Sequence, residues 1–114
     1  MANIDNGVML GALGSVFTDT NAEIVPPTGM VIVAIQMITK NNITRLTAQE
    51  PTRFYSTLAV AHGGADPSTD VGTGGQQIGA GSCTFPAGMT IYGRWINATF
   101  AADADGGVIC YFGY

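Results

Sequence analysis

The chain is poor in charge. Only 11% of its 114 residues are Asp, Glu, Lys or Arg, against about 25% in an average soluble domain. The fixed cations are Lys40, Arg45, Arg53 and Arg94, and with 8 acidic residues the net charge is −4. Nucleic-acid binding needs a basic face that displaces counterions from phosphate, and cations this few and scattered do not make one. The same shortage argues against docking on an anionic membrane. A surface with so little charge is expected to be covered in part by protein.

Long apolar runs are missing too. The longest, Met30 to Ile35, resumes after Gln36 only for Met37 and Ile38, far short of the roughly 20 residues that cross a bilayer. The opening residues, Met-Ala-Asn-Ile-Asp-Asn-Gly, lack the basic region and apolar stretch of a secretory signal, so synthesis in a cytoplasm is expected. Thiols stay reduced there, and Cys83 and Cys110 read as small, free, apolar side chains. The sequons at Asn42 and Asn97 are then chance matches.

Catalytic constellations are incomplete at every candidate. His62 is the only histidine; its His-Gly-Gly context suggests an esterase oxyanion loop, but the Gly-x-Ser-x-Gly elbow and a second histidine are absent from the sequence. Two cysteines and one histidine match no compact zinc spacing. The run Asp103-Ala104-Asp105-Gly106-Gly107 lacks the remaining acidic ligands of a calcium loop and reads more simply as a turn. Asp66 and Asp70 offer a carboxylate pair for glycoside hydrolysis, with nothing near them that suggests a pocket. The glycine runs at 72–75 and 79–81 are followed by no lysine, so no phosphate cradle is indicated. The expectation is a protein without catalytic activity, cofactor or metal.

What the chain has is glycine (16), proline (5), threonine and apolar side chains, 46% hydrophobic in all. No window of a dozen residues carries helical periodicity, and no repeat of 20–50 residues is visible. Short apolar or alternating segments between Gly and Pro predict an all-β fold. The expected architecture is an antiparallel β-sandwich or barrel (jelly-roll-like) in a single domain, with residues 1–28 as an N-terminal arm or edge strand and 29–114 as the β domain.

Residues 30–39 form the clearest strand. They are apolar on both parities, which predicts cover on both sides by a second layer or another subunit. Lys40-Asn41-Asn42 reads as a hairpin turn returning Ile43 to Thr47 beside it. A strand is expected over 53–61, and a polar, glycine-rich loop over 62–81. The strand from Thr90 to Ala102 changes parity, which predicts a bulge at or after Gly93. A turn at Asp105-Gly106 would set Phe100 opposite Tyr111 and Ala102 opposite Ile109. Trp95 reads as core; Tyr92, Tyr111 and Tyr114, with Ile4, Val8 and Leu10 of the arm, are the candidate protein-contact residues.

The stretch Thr84 to Trp95, TFPAGMTIYGRW, and the terminal GGVICYFGY resemble small virion proteins of tailed bacteriophages. There a Phe-Pro-Ala-Gly turn leads into an Ile-Tyr-Gly-Arg-Trp strand, and the chain closes on a Val-Ile-x-Tyr strand. Cys110 stands where a small residue is usual. The resemblance implies a capsid decoration or cement protein on the virion surface. Such a protein is added to the expanded head shell in the bacterial host cytoplasm, often as a trimer, and contacts the major capsid protein. A tail or tail-fibre component that binds host-surface glycans is the alternative.

Overall fold

A computed structural model describes residues 12–50, 84–102 and 106–114. The strand expected at 53–61, the loop 62–81, Cys83, His62, Ile4, Val8 and Leu10 lie outside the described residues. The described part is all-β and antiparallel. Its strands are β1 (Ser15–Thr18), β2 (Val31–Met37), β3 (Asn41–Ala48), β4 (Thr84–Phe85), β5 (Thr90–Phe100) and β6 (Val108–Gly113), joined in one sheet in the order β1-β6-β2-β5-β3-β4.

β2 and β5 start alike. A turn closes from Met30 N–H to the Pro27 carbonyl (3.0 Å) before β2, and from Met89 N–H to the Pro86 carbonyl (3.3 Å) before β5. Gly29 and Gly88 occupy the third position of these turns at φ 85 and 84. A type II turn needs that left-handed conformation, which side chains with a Cβ adopt only with strain. Pro-Thr-Gly-Met-Val-Ile and Pro-Ala-Gly-Met-Thr-Ile are thus two copies of one device, and the strands they launch pair antiparallel.

β2 and β3 are not a hairpin, contrary to the expectation for Lys40-Asn41-Asn42. β5 lies between them, and no non-glycine described residue has positive φ. Asn41 instead opens β3. Its Nδ2 donates to the Ala101 carbonyl (3.1 Å) and its Oδ1 accepts from Ala101 N–H (3.1 Å) and Asn42 N–H (2.7 Å), so the side-chain amide pairs like a backbone unit. The segment from β2 into β3 runs beside the segment from β4 into β5 without a slip: Asn42 faces Thr84, Asn41 faces Phe85, and beyond the corner Gln36 faces Thr90.

That corner forces β5 to bend. Met37 N–H donates to the Met89 carbonyl (2.8 Å), and Asn41, four residues on, holds Ala101. Four residues reach about 14 Å at most, whereas a straight strand from Met89 to Ala101 would run about 40 Å. Three register slips lie along β5, one of them between Ile43 and Arg45 of β3, and the other two flank Trp95. Of these two, one lies where Ile32 and Ala34 face Trp95 and Tyr92, the other where Thr47 and Ala48 face Asn97 and Trp95, leaving Ile96 unmatched. The bulge expected at or after Gly93 is therefore present. The N-terminal half of β5 pairs with β2 and its C-terminal half with β3. A strand turning a corner between two sets of partners is the device of barrels and orthogonal sandwiches.

One core fills the curl. Trp95, Phe100, Ile32, Ile35, Met37 and Leu46 are among its fully buried side chains; Trp95 is core, as its sequence context predicts. β2 supplies Ile32 from one parity and Ile35 and Met37 from the other, because a slip at Val33 against β6 turns the strand over. The double apolarity of 30–39 is thus partly a bulge read through the sequence. Cys110 is a free thiol in this core, and burial pushes its pKa up to about 12.

The pairing expected from an Asp105-Gly106 turn does not occur. β2 lies between β5 and β6; Phe100 faces Ile43, Tyr111 faces Ser15 and Ala34, and Ile109 faces Phe17 and Gln36. Gly107 holds β6 against β2 through its carbonyl, which accepts from Ile38 N–H (3.0 Å), while its own N–H donates to Thr39 Oγ1 (3.2 Å).

Candidate protein-binding face

Alternation along β6 separates two faces. Val108, Cys110 and Phe112 belong to the core, so Ile109 and Tyr111 point to the other side. Residues directly opposite in a ladder share a face, and the registers then give two rows across four strands. One runs Ser15, Tyr111, Ala34, Tyr92; the other runs Phe17, Ile109, Gln36, Thr90. None of the eight side chains is charged.

Each row carries one large exposed aromatic side chain at one end. Tyr92 is 65% exposed and Phe17 53%, while Ala34, between the two tyrosines, is 0% exposed. Tyr111 O–H donates to Gln36 Oε1 (3.1 Å), which fixes its ring across β2. Large exposed apolar side chains grouped on one face mark contact surfaces more reliably than scattered ones.

Of the residues singled out from sequence, Tyr92 and Tyr111 fall on this face in a single row. Tyr114 lies one residue beyond β6, 71% exposed. Phe17, Gln36 and Ile109 join them and were not anticipated, because the order of strands that brings them together is not written in any local pattern.

Cavities lined by described residues border the fold elsewhere. One of about 270 Å³ lies by Lys40, Asn42, Thr84 and Ala102; another, about 460 Å³, is lined by Val16, Ile24, Val25, Pro27 and Phe112 with Ser15 and Glu23. Among the described residues no three His, Cys, Asp or Glu side chains gather as a metal site, and no helix is long and apolar enough to cross a membrane. The chain matches no protein family, no curated protein and no solved structure.

Proposed function

We propose that this chain is a structural virion protein of a tailed bacteriophage that decorates the expanded capsid and stabilises it through contacts with the major capsid protein. The observation that carries the reading is the uncharged face bearing Phe17, Tyr92, Ile109 and Tyr111. The resemblance of residues 84–95 and 106–114 to small phage virion proteins supplies the kind of assembly. Work of this type requires interface area and a rigid platform, and aromatic side chains presented by a sheet lose little freedom on docking.

A protein that binds the expanded shell and not its precursor stabilises the expanded state by mass action. Purified protein mixed with expanded heads lacking it should bind to saturation at a fixed ratio to capsid subunits and should fail to bind unexpanded heads. Absence of saturable binding, with binding to host glycans instead, would transfer the protein to the tail.

A further inference from the structure

Among the described residues the sheet ends at β1. Phe112 N–H donates to the Gly14 carbonyl (3.0 Å), and the same register pairs Val16 with Cys110 and Thr18 with Val108. Bonded and non-bonded pairs alternate in an antiparallel ladder. Gly14, Val16 and Thr18 therefore turn their N–H and C=O toward β6, and Ser15 and Phe17 turn theirs outward. Among the described residues no strand meets these outward groups.

Natural edges are blunted by lysine, proline, a bulge or a covering loop. Ser15-Val16-Phe17-Thr18 has no lysine or proline, its register is unbroken, and Phe17 is more than half exposed. Beside it, the cavity of about 460 Å³ is lined by Val16, Ile24, Val25 and Phe112, and Val25 is 63% exposed.

We propose that β1 is the edge through which two copies of this chain pair, antiparallel, about a two-fold axis at Val16. In that register Ser15 of one copy faces Phe17 of the other. Every outward N–H then meets an outward C=O, and none is left over. Val16 packs against Val16 of the second copy beside the apolar cavity. On the opposite face, the uncharged rows of the two copies join into one surface across both sheets.

The edge itself argues for a second copy as the occupant. It is self-complementary in its backbone groups, and isologous contacts of this kind close at two subunits. It also carries no charge, so two chains of net charge −4 meet without a like-charged pair. A register shifted to centre on Phe17 would instead set Ser15 against Asp19. A contact of four residues a side is in the weak class of interfaces. It shows at high concentration and strengthens where copies are held side by side on a common support. The pairing does not rest on the capsid reading.

Sedimentation equilibrium from about 10 μM to 1 mM tests it, a range suited to weak contacts. The expected result is a concentration-dependent dimer. Phe17→Pro, which removes an outward N–H and leaves the bonds to β6 in place, should weaken it at least tenfold. A second measurement does not depend on that variant folding. Val16→Cys in a Cys83→Ser, Cys110→Ala background, which removes the thiol opposite position 16 in the β1–β6 ladder, treated with oxidised glutathione, should give a disulfide-linked dimer, because non-bonded antiparallel pairs bring their Cβ atoms within disulfide reach. A chain that stays monomeric throughout with no Val16→Cys cross-link, or an oligomer that Phe17→Pro leaves unchanged, overturns the proposal.

Discussion

Tyr92 and Tyr111 face the same residue, Ala34, from opposite sides, one on β5 and the other on β6. Two aromatic side chains thus flank the smallest member of their row, with Tyr111 tied to Gln36 (3.1 Å). Tyr92 contributes mainly exposed surface, so Tyr92→Ala should change stability by no more than about 0.5 kcal/mol. If it is an anchor of the contact, the same substitution should weaken binding to expanded heads by about 2 kcal/mol, roughly 30-fold. Thermal melts beside head-binding titrations separate the two effects.

Gly93 sits against the indole of Trp95. A Cβ at this position would lie 2.5 to 2.9 Å from three ring atoms, and the ring is fully buried where β5 bends. Gly93→Ala should therefore destabilise by about 1–3 kcal/mol through overpacking. Chemical denaturation should show a lower midpoint with an unchanged slope.

Asn41 joins the start of β3 to the end of β5. Asn41→Ala removes both side-chain bonds to Ala101 and leaves its half-buried carbonyl without that donor, while Ala101 N–H keeps the Asn42 carbonyl (3.1 Å) as acceptor; the cost should be about 1–3 kcal/mol. Asn41→Asp keeps an acceptor for Ala101 N–H but loses the donor to its carbonyl, and should be destabilised as well. Hydrogen exchange should speed up at Asn42 in Asn41→Ala, where its N–H loses the Asn41 Oδ1 acceptor (2.7 Å), and not in Asn41→Asp, which keeps an acceptor there.

Cys110 should resist alkylation in the folded protein, because the thiolate is the reactive form and burial pushes its pKa from 9.0 to about 12. The unfolded chain releases this proton first as pH rises. The contribution of Cys110 to stability is therefore constant below about pH 9 and is lost between pH 9 and about 12, by on the order of 4 kcal/mol. The difference in unfolding free energy between wild type and Cys110→Ala should shrink over that window. Peptide mapping after iodoacetamide treatment should find Cys110 unmodified until the protein is denatured.

Composition and local pattern carry the β class, the strands near 30–39, 90–102 and the C-terminus, the buried Trp95 and the bulge in β5. Each of these depends on side chains within a few positions of one another. Strand order does not. The Asn41-Asn42 and Asp105-Gly106 pairs look like hairpin turns, and in isolation such dipeptides favour them. Here the Asn41 amide is engaged by Ala101, and β2 occupies the place beside β5 and β6 that a hairpin would need. Both decisions depend on residues tens of positions away. The two Pro-x-Gly-Met turns were legible as letters, but their significance as matching starts of paired strands emerges only from the fold. The binding face is half legible for the same reason. Tyr92 and Tyr111 attract attention as aromatics, while Phe17, Gln36 and Ile109 become neighbours only once β1, β6, β2 and β5 are placed in order.

An electron-microscopy map of the virion tests the central claim most directly. The account predicts density for this chain regularly spaced over the outer surface of the expanded shell, with the face bearing Phe17, Tyr92 and Tyr111 turned to the major capsid protein. A shell without that density, and the chain located in the tail, would contradict it.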